Sequence, residues 1–427
     1  MGSRYANWVG GLNGDWLISR QRIFGVPLPL WYPLDAAGQP DYRVPIQPDE
    51  AALPVDPHTD VPPGYCDAQR GQPGGFIGES DIMDTWATSS LTPQIAAAWG
   101  EPDECCERVL PMDLRPQGHD IIRTWLFSTV ARSHLESACL PWAHAMLSGW
   151  ILDPDRKKMS KSKGNVVTPA ALLDTYGSDG VRYWAALGRP GMDTAFDETQ
   201  MRNGRRLALK LLNVSKLALG FEQAPAAPLG EALDRAMLAR LAEVVMLATT
   251  AFDALDYSKA LEHIEAFFWW YCDDYVELVK NRARGDDARA ASAHHALAAS
   301  LSVLQRLFAP FLPFAAEECW SWWQSASIHR SAWPDAASLR MLAGAGAGAD
   351  ADSATSVAVS DVLREIRRAK SEAKVSMKAT VSVVTIGDAA QRLALLGQAQ
   401  NDLRDAGHIG VFEMVESERF RVDVTLA

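Results

Sequence analysis

Lys157-Lys158-Met159-Ser160-Lys161-Ser162-Lys163-Gly164-Asn165 puts four lysines and two serines into nine consecutive positions. Ammonium groups crowded onto a short loop repel one another, so a bound polyanion would compensate a cost that the loop's own contacts do not. The plainer alternative is a solvated basic loop. Gly164 and Asn165 supply turn residues. Val166-Val167-Thr168-Pro169 follows, and Thr168-Pro169 reads as an N-cap with proline at the first helical position.

Working outward, Ala145-Met146-Leu147-Ser148-Gly149-Trp150-Ile151-Leu152 reads as a strand that leads straight into the lysine loop. Before it, Arg108-Val109-Leu110-Pro111-Met112-Asp113-Leu114 reads as another strand, running into Arg115-Pro116-Gln117-Gly118-His119-Asp120. A helix is expected from there through Ile121, Ile122, Trp125, Leu126, Thr129 and Val130. Strand, glycine turn and helix N-terminus together form the place where α/β sheets bind nucleotides. One such turn is commonly structural only. Two successive strands ending in ligand-type loops argue for more. Helices near 169–176 and 179–187 follow the loop. Further upstream, Leu17-Ile18 reads as a short buried strand and Ser19-Arg20-Gln21-Arg22 as an exposed basic turn. The Pro-, Gly- and Asp-rich stretch 33–80 reads as an insertion of turns and short strands.

A length of 427 residues implies roughly two to four domains. Hydrophobic content of 48% with 22% charged residues describes a soluble globular protein. No apolar run approaches the ~18 residues of a membrane span, and Met1-Gly2-Ser3-Arg4 lacks a signal-peptide core. The six cysteines form no CxxC pair, which argues against a disulfide framework and a structural zinc site and predicts a cytoplasmic protein. The net charge of −12 argues against wholesale polyanion binding and leaves room for local basic patches.

From 197 the pattern becomes helical: 198–219, 229–254, 257–284 and 288–308, then a shorter helix after Pro310 and Pro313 that holds Trp320, Trp322 and Trp323. This predicts a helical bundle over 197–342, with its tryptophans in the core rather than stacking bases. The Gly-Ala repeats at 343–355 read as a flexible linker. Over 356–427, a basic helix (362–374) with Arg364, Arg367, Arg368, Lys370 and Lys374 at helical spacing precedes a strand (380–385), a helix (388–405) and strands near 409–414 and 418–426. These make a small α/β unit.

Taken in order, Asp15-Trp16-Leu17-Ile18-Ser19-Arg20-Gln21-Arg22, Asp84-Thr85-Trp86, Gly118-His119-Asp120-Ile121-Ile122, Ser148-Gly149-Trp150 and Lys158-Met159-Ser160-Lys161-Ser162 resemble a valyl-tRNA synthetase. The last of these matches the phosphate-binding signature of class I aminoacyl-tRNA synthetases letter for letter. Thr85 and Ser89-Ser90 resemble the valyl rather than the isoleucyl form, which carries an acidic residue and a glycine there.

The resemblance implies an α/β fold. Residues 1–196 would be the second half of a Rossmann-like catalytic domain, followed by an anticodon-binding bundle and a tRNA-contacting C-terminal unit. It places Trp86, Ile121 and Trp125 in the valine side-chain pocket, with Ile121 and Trp125 four apart on one helix face. Gln117, Gly118 and Asp120 would hold the ATP ribose, and Ser148, Gly149 and Trp150 would flank the adenine. Relatives often carry a histidine where Ser148 stands. Lys158 and Lys161, with Ser160 and Ser162, would bind the ATP phosphates, accompanied by Mg2+. Arg282, Arg284, Arg364, Arg367, Arg368 and Lys370 would contact the tRNA backbone. The implied partners are tRNA-Val, valine and ATP, with no DNA and no membrane.

The family's catalytic domain also has a first half bearing a His-x-Gly-His signature, followed by an inserted editing domain. None of the nine histidines forms that signature. The expectation is therefore a valine–tRNA ligase sequence in truncated or split form, completed by an N-terminal half. The competing readings are a catalytically silent tRNA- or nucleotide-binding module and a ligase for isoleucine or an analogue. For valyl-tRNA synthetases the established pocket discrimination against threonine is only about 10², so a chain without the editing domain is expected not to clear threonyl-tRNA.

Overall fold

The computed structural model describes residues 2–100, 105–159, 164–221, 228–344 and 349–427. They form two compact units, Met1–Trp150 and Ile151–Ala427. The division between the compact units falls ahead of the lysine loop.

The first unit opens with helix α1 (Gly2–Gly10) and short antiparallel pairs. Strand β1 (Ser19–Arg20) pairs with β4 (Ile82–Met83), and β2 (Trp31–Pro33) with β3 (Phe76–Gly78). The stretch between β2 and β3 is turns and 3-10 segments, as the Pro/Gly/Asp content predicts. It folds around buried Trp31 and Phe76. Two readings of this region are corrected. Leu17 and Ile18 are exposed rather than a buried strand. Ser19 and Arg20 are a strand rather than a basic turn, because Arg20 is ion-paired to the buried carboxylate of Asp84.

Helices α2 (Thr85–Ser89), α3 (Thr92–Ala96) and α4 (Cys105–Val109) lead to β5 (Met112–Gly118). The strand expected from 108 thus starts four residues later, after a helical turn. A crossover helix, α5 (Phe127–Ser137), returns the chain to β6 (Trp142–Ser148). β5 and β6 pair in parallel, with Gln117 opposite Leu147 and Gly118 opposite Ser148. Parallel strands need such a crossover, and it brings both strand C-termini to the same edge.

The second unit begins with β7 (Ile151–Leu152), which pairs in parallel with β8 (Thr194–Ala195). Helix α6 (Pro169–Ala186) starts at Pro169 as expected and carries a break at Gly177 (φ 74°) between its two predicted halves. Its partner α7 (Glu198–Leu219) has the predicted bounds. Their approach is close: a Cβ at Gly204 would lie 2.5 Å from the Cβ of Tyr183.

Next come α8 (Ala232–Asp253), α9 (Tyr257–Trp270), α10 (Val276–Val279), α11 (Ala288–Phe308), α12 (Pro313–Ser321) and α13 (Ala336–Leu342). Aspartates cap several of these starts. Asp197, Asp256, Asp287 and Asp335 accept backbone N–H groups of the first turn, contacts worth about 1 kcal/mol each. Leu207, Leu211, Met237, Leu241, Ile264, Phe268, Leu304 and Phe308 fill the core between the helices. The predicted 257–284 helix is interrupted by a π-turn at Tyr271–Tyr275. Both tyrosines are buried, with hydroxyls bonded to Ser300 and Asp234. Trp320 is core, as predicted, while Trp322 is partly exposed.

The flexible-linker reading of 343–355 is corrected for the described part: α14 (Ala349–Glu372) occupies it from residue 349. Alanine is the strongest helix former, and the segment is fixed by tertiary contacts. Asp352 accepts two bonds from Arg235 at 2.7 and 2.8 Å, and Thr355 is buried. Ala358, Val359, Val362, Leu363 and Ile366 of α14 pack on strand β9 (Val381–Asp388), helices α15 (Ala390–Gln398) and α16 (Gln400–Gly407), and strand β10 (Ile409–Glu416). Strand β11 (Arg421–Leu426) completes a sheet of order β10-β9-β11, parallel on one side of β9 and antiparallel on the other.

Two residues read as tRNA contacts are structural. The Arg282 side chain is 4% exposed. It donates to Asp234 twice at 3.0 Å and to Asp402 at 3.1 Å. Lys370 is 1% exposed, and its ammonium donates to the carbonyls of Met377 and Gly407. Neither is available to a phosphate. Replacing Arg282 with Met would leave buried Asp234 without its cation and Asp402 with Arg289 alone, and is expected to cost roughly 3–5 kcal/mol. Arg368→Ala, which removes only exposed helix-surface pairs, should cost under ~1 kcal/mol. Urea unfolding of the two variants checks this, and similar midpoints would refute the assignment.

Candidate active site

The C-terminal edge of β5 and β6 gathers the residues predicted to hold a nucleotide. Gly118 is followed by a 3-10 turn (His119–Ile121) that turns the Asp120 carboxylate back over it. A Cβ on Gly118 would lie 2.4 Å from Asp120 Oδ1, so the bare glycine lets that carboxylate lie over it, and a larger residue would turn the exposed Asp120 side chain away. Gln117 is buried, and its Oε1 has no hydrogen-bond partner among the described residues. Ser148 Oγ donates to the Gln117 carbonyl at 3.4 Å. An exposed carboxylate beside a Cβ-less residue and an orphaned buried amide oxygen fit a ligand rich in hydroxyls and N–H groups, as a nucleoside is.

Residues that the sequence reading left out complete this edge. The His119 ring meets Trp150 edge to face at 4.5 Å, and its Nδ1 lies 3.1 Å from the Ser148 carbonyl. A cleft of about 450 Å³ is lined by Tyr5, Trp8, His119, Asp120, Ile122, Arg123 and Trp150. It joins two foreseen residues, Asp120 and Trp150, to an aromatic wall from α1. The position of His119 between Gly118 and Asp120 was the available signal.

The predicted side-chain pocket is assembled from α2 and the segment after Gly118. Asp84 caps α2, with Oδ1 accepting the Trp86 N–H at 2.7 Å. The Trp125 indole N–H donates to the Ser89 carbonyl at 3.0 Å, tying its segment to the C-terminal end of α2. Arg132 donates to Ser90 Oγ at 2.7 Å. The expected α-helix does not start as one. Ile122–Leu126 is a π-turn, and Ile121 lies just before it. The β-branched Ile121, Ile122 and Thr124 are poor α formers. The α-helical i,i+4 argument for Ile121 and Trp125 therefore does not apply.

Arg115 was not singled out from sequence. Its guanidinium lies 2.9 Å from the Trp125 ring centre and 4.6 Å from that of Trp142. It is buried, without hydrogen-bond partners for Nε and Nη2 among the described residues. Burial pushes its pKa down to about 10.

In the second unit, the lysine loop leaves β7 through an antiparallel bridge between Leu152 and Lys158, and Lys158 is exposed. Ser160, Lys161, Ser162 and Lys163 lie outside the described residues. Thr168 precedes α6 in extended conformation, as an N-cap does, without a side-chain cap bond. Of the remaining tRNA-contact candidates, Arg284, Arg364 and Arg368 are exposed, and Arg367 is paired with Asp274 at 2.6 Å.

Residues 1–197 match the model of the tRNA synthetases class I (I, L, M and V), and residues 234–385 match the anticodon-binding domain of tRNA ligase. Valine–tRNA ligase of Thermobifida fusca is 59% identical over all of this chain and 48% of its own length. The chain belongs to the class I tRNA synthetases. Within that family its sequence sits with the valine–tRNA ligases. The Salinispora tropica enzyme is 57% identical over 98% of this chain, and that of Cutibacterium acnes 52% over 94%. This synthetase chain spans about half the length of the curated relatives it matches. A LeuRS from Agrobacterium radiobacter, solved as a ternary complex with tRNA and LeuAMS, superposes with a TM-score of 0.59 at 21% identity. It covers 77% of this chain, with 43% of its own length aligned, and shares the fold. No helix among the described residues is long and apolar enough to cross a membrane.

A depressed arginine pKa means the charged form is disfavoured on folding. That penalty is present at neutral pH and is relieved as pH rises above about 10. Arg115→Met is therefore expected to stabilise this synthetase chain by roughly 1–3 kcal/mol at pH 7. A lowered denaturation midpoint would show that stacking on Trp125 and Trp142 outweighs desolvation.

Proposed function

We propose that this chain supplies one side of the active site and the tRNA-binding bundle of a valine–tRNA ligase. The observation that carries the reading is the Gly118–Asp120 cradle at the shared C-terminal edge of two parallel strands. The 52–59% identity to valine–tRNA ligases supports it.

Gln117, Gly118 and Asp120 would bind the ATP ribose, with the Asp120 carboxylate accepting from its hydroxyls. Ser148, Gly149 and Trp150 would flank the adenine. Trp86, Ile121 and Trp125 would wall the valine side chain. The reaction is in-line attack of the valine carboxylate on the α-phosphorus of ATP. It needs no protein nucleophile, only positioning and charge stabilisation. Lys158 and Lys161, with Ser160 and Ser162, would hold the phosphates and neutralise charge as pyrophosphate leaves. Mg2+ would enter on the ATP phosphates, and no residue is assigned to it. The adenylate is then transferred to tRNA-Val, held through exposed cations such as Arg284, Arg364 and Arg368. The setting is the cytoplasm, where these substrates meet.

Valine-dependent ATP–pyrophosphate exchange tests the proposal, run with and without an added His-x-Gly-His half from a relative and repeated with isoleucine and threonine. Activity with valine on addition supports it. Absence under every condition leaves a tRNA- or nucleotide-binding module, and preference for isoleucine would redirect it. In the complemented enzyme, Lys161→Ala is expected to slow exchange by about two to three orders of magnitude. An unchanged rate would remove Lys161 from the chemistry.

For tRNA, binding measured across salt concentrations should lose roughly one unit of salt slope for Arg364→Ala or Arg368→Ala. An unchanged slope would exclude both as phosphate contacts.

A further inference from the structure

The lysine loop is held at both necks by one side chain that its sequence motif does not include. Asp153 follows β7 directly and is 8% exposed. Its Oδ1 accepts the Lys157 N–H at 2.7 Å on the outgoing neck, and its Oδ2 accepts the Asn165 side-chain N–H at 2.8 Å on the returning neck. The backbone closes the same turn. Asp153 N–H donates to the Lys157 carbonyl and Arg156 N–H to the Asp153 carbonyl, both at 2.8 Å. Arg156 takes the left-handed conformation at φ 61°. The Asn165 amide also reaches the Lys158 carbonyl at 3.3 Å, so it touches the residue whose ammonium the loop presents.

We propose that Asp153 is a positioning residue for the lysine loop: by joining the Lys157 backbone to the Asn165 side chain, its carboxylate fixes the register in which Lys158 meets the ATP phosphates. The role rests on reading this loop as the phosphate loop of the proposed ligase; the clasp itself does not. Three features set it apart from an ordinary turn aspartate. One carboxylate spans twelve residues of sequence, from 153 to 165. It is acceptor-only, and it takes the Lys157 and Asn165 donors at the two necks together with the Asp155 backbone N–H within the turn. These bonds hold its pKa below the usual carboxylate range, the Lys157 amide being the larger cause and Asn165 the next. It therefore stays ionised at neutral pH, with its negative charge against the backbone of Lys157.

Two measurements test this. In the chain as it is, amide hydrogen exchange at Lys157 is expected to speed up at least ~10-fold in Asp153→Ala, since the amide loses its acceptor. Unchanged exchange would overturn the clasp whatever the protein's activity. In the complemented enzyme, pyrophosphate exchange by Asp153→Ala is expected to show kcat lowered about tenfold with the KM for valine unchanged. Asp153→Asn keeps an acceptor for Lys157 but sets an NH2 against the Asn165 amide, so it should recover only part of the loss. A fall in kcat matched by a rise in the KM for valine, or no recovery by Asn, would indicate general structural damage and overturn the positioning role. Wild-type enzyme that shows no exchange after complementation would count against the phosphate-loop reading, and so against the role, while hydrogen exchange still decides the clasp.

Discussion

The buried Arg282 guanidinium is neutralised by carboxylates from two distant helices, and this pairing organises the second unit. Its donors are spent on Asp234 from α8 and Asp402 from α16. Around them Tyr275, Ser292, Arg289 and Glu231 complete the network. Asp402 feels two opposed influences: burial pushes its carboxyl up to about 6, while Arg282 and Arg289 pull it down. The Arg282 pKa rises as well: burial alone would lower it, and the carboxylates of Asp234 and Asp402 outweigh that. Buried clusters of this kind add little net stability compared with apolar packing, but they tolerate no missing member. That makes them a stringent way to specify which helices meet.

The first unit rests on a simpler device. Parallel pairing puts the last residues of two strands side by side, so Gln117, Gly118, Ser148 and Trp150 converge although about thirty residues separate the two ends of the set. The segments that follow each strand supply the chemistry: the Asp120 carboxylate folds over the glycine, and the His119–Trp150 pair closes the side. The missing Cβ at Gly118 is what lets the Asp120 carboxylate lie over the turn in this orientation.

What the sequence made legible follows from how local each signal was. The helices at 198–219 and 288–308 were readable because apolar periodicity and an Asp cap lie within the segment itself. The lysine loop was readable because its residue types are extreme. Other features depended on partners far along the chain. Arg282 and Lys370 looked like surface cations because the groups that bury them, Asp402 and the Gly407 carbonyl, lie 120 and 37 residues away. The helix from 349 was hidden by the Gly-Ala repeats before it, and its anchor to Arg235 crosses 117 residues. Arg115 gave no signal at all, since an arginine in a strand ordinarily points to water.

The π-turn at Ile122–Leu126 carries a consequence for inheritance. Each residue of an α-helix advances its face by about 100°, so gaining or losing one residue in this short segment would rotate everything after it by that angle. Phe127, which meets Trp8 edge to face, and the buried Thr129 and Ser133 would swing off their contacts together. Substitutions here change one side chain at a time, whereas a single-codon insertion or deletion would rephase the whole crossover helix. The number of residues between Gly118 and Phe127 is itself part of what this sequence encodes.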